Sequence, residues 1–312
     1  LVDEKPLGPL DSPAYSIIDP RFASLTVPGA RVERLWTGGK WVEGPAWLAA
    51  SRTLVWSDIP GDRMLAWNEA NGEASVFRLP ANAPNGNTVD REGRLVSCDQ
   101  LLHRITRTEF DGTLTVLADR HDGQRFNSPN DLVVKSDRSI WFTDPSYGRP
   151  KDREVGPDVV GCHVYRIDGG TGAVRQMTSD FVQPNGLAFS CDERVLYIVD
   201  TGSTHIPGGP NHVRRFWVGP DQSLRGGEIL ASNAAEKYDG LRIDAEDRLW
   251  LGCEDGVECR LPDGTLIGKI NLPERAANLT FGGKDGDDLL ITGTTSIYRC
   301  KVRARAAGWP AA

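Results

Sequence analysis

The segment Gln183-Pro184-Asn185-Gly186-Leu187-Ala188-Phe189 sets a side-chain amide directly ahead of a glycine and a short apolar run. Variants recur at Glu43-Gly44-Pro45-Ala46-Trp47, Asn85-Gly86-Asn87, Asn130-Asp131-Leu132-Val133, Asp239-Gly240-Leu241 and Asn278-Leu279-Thr280-Phe281, making six in all. From each anchor the chain runs through an apolar stretch, a polar turn and a second apolar stretch. The second stretch ends 14 or 15 residues on, at Asp58, Asp99, Asp144, Asp200, Cys253 and Thr292. The turns between, such as Asp90-Arg91-Glu92-Gly93 and Asp244-Ala245-Glu246-Asp247, are rich in residues that bend the backbone, so each unit opens with a β-hairpin. Repetition in fixed phase marks a repeat architecture.

The first unit contains four strand-like runs, at 45–47, 53–56, 63–67 and 74–77, which read as an antiparallel meander, and the following units repeat the scheme. The third and fourth units carry insertions at 145–161 and 202–211, loops long enough to suggest a functional role. The sixth unit supplies only three runs, at 279–281, 288–291 and 296–302. The alternating segment 31–36 can take the missing place and remove an open sheet edge. The expected fold is therefore all-β, a six-bladed β-propeller whose last blade is closed by an N-terminal strand. Residues 1–29, with prolines at 6, 9, 13, 20 and 28, are expected to form an extended arm. Residues 30–303 then form the propeller as a single catalytic domain, followed by a tail at 304–312.

Composition agrees with this reading, since 34 Gly, 20 Pro and 9 Trp in 312 residues suit short strands and tight turns. A net charge of −7 without a clustered basic surface argues against a nucleic-acid partner. No apolar run approaches the ~20 residues of a membrane span, and the first thirty residues lack a basic start followed by an apolar block. The chain begins at Leu1 without Met, so a removed leader fits the sequence as well. The six cysteines show neither zinc spacing nor the density of a disulfide scaffold; Cys253 and Cys259 are the one pair a hairpin could join. Such cysteine usage points to a reducing, cytoplasmic setting. Oligomeric state is not legible in the sequence.

In a propeller the innermost strands line a central channel, so Glu43, Asn85, Asn130, Asn185, Asp239 and Asn278 converge on one axis. Asn and Asp also serve as ordinary turn residues, and for Asn85 and Asn278 that bland role weighs equally. Glu43 has no such local role. Two carboxylates aimed at one channel repel and raise each other's pKa unless a positive group lies between them. With only oxygen donors in the set, a hard divalent cation is the natural solution, calcium first, with magnesium, manganese or zinc as alternatives.

Five motifs in this order, Glu-Gly-Pro-Ala-Trp (43–47), Arg-Phe-Asn-Ser-Pro-Asn-Asp (125–131), Phe-Thr-Asp-Pro-Ser-Tyr-Gly (142–148), Pro-Asn-Gly-Leu-Ala-Phe-Ser (184–190) and Tyr-Asp-Gly-Leu-Arg-Ile-Asp (238–244), resemble the gluconolactonase branch of the regucalcin (SMP-30)/gluconolactonase family. The resemblance implies one divalent cation held by Glu43, Asn185 and Asp239, with Asn130 as a further ligand or substrate contact. It also implies hydrolysis of a small lactone such as glucono-1,5-lactone. Asp239 would serve as general base or, in a competing version, as nucleophile. Asn85, Arg125, Asn130, Tyr147 and His205 are the expected substrate contacts. The chain departs from family patterns in two places: Ser128 stands where animal regucalcins carry Arg, leaving Arg125 five residues before Asn130, and Gln100 replaces a histidine frequent in lactonase relatives. A phosphotriesterase on the same site, or a non-catalytic binding propeller, are the rival readings.

Overall fold

The computed structural model describes residues 6–148, 161–233 and 237–308. Among these, six antiparallel sheets form the blades. Blade 1 is Val42–Leu48, Thr53–Asp58, Arg63–Asn68 and Ala74–Arg78, from the inside outward. Blades 2 to 5 begin with inner strands Pro84–Val89, Leu132–Val134, Pro184–Phe189 and Leu241–Ile243. Blade 6 runs Asn278–Gly282, Asp288–Thr292 and Ser296–Lys301, and its fourth strand is Glu33–Thr37 from the N-terminal side. Tyr298 lies opposite Arg34 and Ser296 opposite Thr37, so the closing strand sits where the sequence placed it.

Hydrophobic burial explains why the second strand of each unit reads as an unbroken apolar run. Side chains alternate across a strand, but each blade is covered on both faces by its neighbours, so both sets must be apolar. In Val195–Asp200, Leu196 and Ile198 pack with Trp141 of blade 3, whereas Tyr197 and Val199 pack with Leu241 and Leu251 of blade 5. The core is thus divided into six clusters, one for each interface between adjacent blades. Cys253 faces Gly256 and Cys259 faces Trp250 across their hairpin, so that register does not bring the two sulfurs opposite each other. No helix among the described residues is long and apolar enough to cross a membrane.

The N-terminal segment does more than lie over the surface. Tyr15–Ile17 adds a fifth strand to blade 5 and Gly8–Pro9 a fifth to blade 6, covering two outer edges. After Tyr15–Ile17 the single helical turn Pro20–Ala23, capped by the Asp19 carboxylate on the Arg21 N–H, buries Phe22 completely against Trp250. Gly268 makes room for that ring, since a Cβ there would stand 2.1 Å from Phe22 Cδ1. Phe22→Ala is expected to cost about 3–5 kcal/mol of unfolding free energy in denaturant titration, a loss that an unattached arm would not produce.

Candidate active site

Two backbone devices bring the anchors together. The first is the residue after each anchor. Neighbouring inner strands approach so closely that a Cβ on Gly44 would lie 2.2 Å from the Asn85 carbonyl oxygen, and one on Gly86 2.4 Å from that of Asn130. Gly186 and Gly240 are equally crowded, against the Asp239 carbonyl and the Asn278 side chain. Only glycine permits this contact, and it lets the Gly86 N–H donate to Asn130 O at 2.7 Å and the Gly240 N–H to Ala277 O at 2.7 Å. The second device is the aspartate that ends the second strand. Asp58 accepts from the Lys40 and Trp41 N–H groups, Asp144 from Asn127 and Ser128, and Asp200 from Val182 and Gln183. In each case these amides lie two or three residues ahead of the anchor, so the carboxylate fixes the approach of the chain to the channel.

Five anchors, Glu43, Asn85, Asn130, Asn185 and Asp239, line one cavity of about 320 Å³. All five are buried against the inner-strand ring. Asn278, the sixth, lies off the lining: its Oδ1 accepts from the Leu279 N–H at 2.9 Å and its amide donates to Asp131 at 3.2 Å. Asp131 stands in blade 3 where four other units have glycine, and its buried carboxylate also receives Arg242 at 3.2 Å. This group plugs the channel. Arg242 in turn lines a second cavity at the opposite mouth, formed by turn residues such as Ser190 and Glu193.

The remaining lining residues come from the loops before the anchors, Trp41 and Arg275, and from those after the second strands, Ile59, Pro60, Gln100, Tyr147 and Thr204. Tyr147 donates to Thr204 Oγ1 or accepts from it at 3.0 Å, and its ring meets His205 edge-on at 5.1 Å. His205 therefore sits behind Tyr147 and Thr204, outside the lining. Arg125 belongs to an exposed ribbon, Arg120–His121 with Gln124–Arg125, and does not line the cavity either. Ser128 is buried, donating to the Pro145 carbonyl at 2.6 Å.

Arg275 was not anticipated, because it falls three residues before Asn278 and outside the repeat phase. Its guanidinium donates to Asp239 Oδ2 at 2.8 Å, reaches Glu254 at 3.4 Å and lies over the Trp41 ring at 5.6 Å. The preceding Glu274 holds this loop in place by accepting from Tyr298 Oη at 2.7 Å and Thr295 Oγ1 at 2.9 Å.

The charge balance is uneven. Asp239 has its pKa raised by burial, an effect that Arg275 and a hydrogen bond from Asn185 oppose. Glu43 is pushed well above the ordinary 4.5 by burial first and by Asp239 second, and its direct partners are the neutral Gly44 N–H and the Asn278 amide. Among the described residues no three His, Cys, Asp or Glu side chains gather as a metal cluster. The donor set is instead two carboxylates and amide oxygens, and among the described residues Glu43 forms no salt bridge, Arg275 acting on it only through space. Hard oxygen donors around an excess negative charge suit a divalent cation such as calcium.

The family model described as the SMP-30/Gluconolactonase/LRE-like region matches residues 41–295. The chain belongs to that family. Within the SMP-30/gluconolactonase family it is 27% identical to a gluconolactonase of Zymomonas mobilis, over 91% of this chain and 85% of the relative. The solved structure of a gluconolactonase from Xanthomonas campestris superposes with a TM-score of 0.87 at 35% identity, covering 96% of this chain and 97% of that one. A calcium-binding regucalcin from Agrobacterium tumefaciens shares the fold, with a TM-score of 0.73 at 20% identity over 88% and 94% of the two chains.

Two outcomes follow from these electrostatics. Glu43 gains a higher pKa on folding, so its contribution to stability is present below the unfolded value near 4.5 and is lost as pH rises through the folded value. Chelator-treated Glu43→Gln is therefore expected to melt above wild type at pH 8, with the difference closing below about pH 4.5 in thermal scans. Arg275→Met leaves Asp239 as an unpaired buried charge. It is expected to lose about 3 kcal/mol in denaturant unfolding of chelator-treated protein.

Proposed function

We propose that this protein hydrolyses a sugar lactone, glucono-1,5-lactone to gluconate being the reaction that fits best, with one divalent cation, calcium, held by Glu43, Asn130, Asn185 and Asp239. The observation carrying this reading is the convergence of two buried carboxylates with amide oxygens on a single cavity large enough for one small ring. The names of the Zymomonas and Xanthomonas relatives support it. When bound, such a cation would act as a Lewis acid on the ester carbonyl.

The residues of the chain supply the rest. Asp239, held by Arg275 and Asn185, takes the proton from the attacking water, and burial makes its carboxylate a stronger base than an exposed one. Arg275 acts through Asp239 as a positioning residue and, over Trp41, closes one wall against bulk water. Tyr147, hydrogen-bonded to Thr204, forms another wall. Asn85 and Asn130 face the substrate.

The test is glucono-1,5-lactone hydrolysis followed by pH indicator on chelator-treated protein, with spontaneous opening subtracted. Calcium is expected to restore activity, and Asp239→Asn to lower kcat by about 100-fold or more while the protein stays folded. Activity that persists in Asp239→Asn removes the base from this mechanism; no activity with any cation removes the sugar lactone as substrate.

A further inference from the structure

The cavity has two unlike sides. On one, Asp239, Arg275 and Asn185 are committed to one another and to Thr201, whose Oγ1 receives the Asn185 amide at 3.2 Å. On the other stand three amides, Asn85, Asn130 and Gln100, whose side chains make no hydrogen bond among the described residues. Gln100 is the most unusual of them. It is 4% exposed, and its Nε2 is shut off from solvent and from every acceptor among the described residues.

This amide is held in place. The Gln100 backbone N–H donates to Ala83 O at 3.3 Å, and the preceding Asp99 pairs with Pro84, which sets Gln100 opposite Ala83 at the end of the hairpin, with its side chain joining Asn85 in the cavity lining. Gly148 packs on the side chain: a Cβ at Gly148 would lie 3.1 Å from Gln100 Cβ and 2.8 Å from Ser128 Cβ. The Gly148 N–H itself donates to Ser128 Oγ at 2.9 Å, which ties this contact to the loop that delivers Asn130. A buried amide without a partner is costly unless a ligand completes it.

We propose that Gln100 is a specificity-determining residue that reads a ring hydroxyl of the substrate, with Asn85 and Asn130 completing a wall for a polyol. The proposal rests on the lactone-hydrolase reading for its substrate but names a contact of its own. A neutral primary amide presents a donor and an acceptor together, which is the pattern an alcohol requires and its own converse. A carboxylate or phosphate would find no cationic side chain on this wall, since Arg275, the cationic side chain of the lining, is engaged with Asp239 and Glu254. An alkyl group would leave the amide still unpaired. A site built to bond a hydroxyl discriminates strongly against the analogue lacking it.

The experiment compares wild type with Gln100→Met, which keeps the length of the side chain and removes both polar atoms, and with Gln100→Leu as a second apolar replacement. Binding of 1,5-anhydro-D-glucitol, a ring polyol with no ester to hydrolyse, is measured by calorimetry in calcium. In parallel, kcat and KM are measured for glucono-1,5-lactone and for δ-valerolactone, which has the ring and no hydroxyls. Both variants are expected to weaken the polyol about tenfold, ~1.4 kcal/mol, and to raise KM for gluconolactone similarly, with δ-valerolactone changed less than twofold. Equal polyol affinity in wild type and variants, no polyol binding by wild type, or equal losses on both lactones would each overturn the proposal. If wild type hydrolyses neither lactone, the hydrolase reading fails by itself, and the polyol titration still decides the role of Gln100.

Discussion

The structure depends on how closely the six inner strands approach around the channel. The carbonyl of one anchor, or for Asn278 the side chain, occupies the space where the preceding blade's post-anchor residue would carry its Cβ, and the glycines at 44, 86, 186 and 240 yield that space. Close approach lets backbone amides bond from strand to strand around the ring, and it orients the preceding side chains toward a common axis. A functional site and a folding constraint are therefore written into the same dipeptide. Blade 3 departs from this with Asp131, and the departure is used: its carboxylate crosses to Arg242 and Asn278 and closes the channel, so the cavity becomes a pocket with a floor.

Packing and electrostatics divide the work between second strands and loops. The interior of each second strand is apolar on both faces because blades cover it from both sides, and this supplies the hydrophobic core of the propeller. Its last residue is polar for a different reason. In blades 1, 3 and 4 the terminal aspartate takes two backbone N–H groups from the segment that leads to the anchor, converting a flexible connection into a fixed approach. Loops positioned by a rigid scaffold are where binding residues accumulate, and here they contribute Trp41, Arg275, Gln100, Tyr147 and Thr204 to the cavity.

Repeat phase made much of this visible in the sequence. Glu43, Asn85, Asn130, Asn185 and Asp239 stood out because they recur at one position, and all five line the cavity. The same logic overreached for Asn278, which supports the floor, and spacing alone did not place Arg125, whose ribbon lies on the surface. Arg275 carries no repeat signal, and the feature that could have marked it is its place just ahead of an anchor, which it shares with Trp41. Gln100 was noticeable only as a substitution for a histidine.

The order of anchors, hairpins and terminal aspartates is local information, and from it the sequence alone determined the number of blades, the closing N-terminal strand and the convergence of two carboxylates. Which residues oppose those carboxylates is a matter of distances across the channel, between positions separated by scores of residues, and no local pattern encodes them. Only the tertiary structure decided that Asp239 is paired with Arg275, that Glu43 forms no salt bridge among the described residues, and that a wall of amides faces them. The physical reason is that hydrogen-bonded periodicity acts along the chain, whereas charge pairing and desolvation act through space.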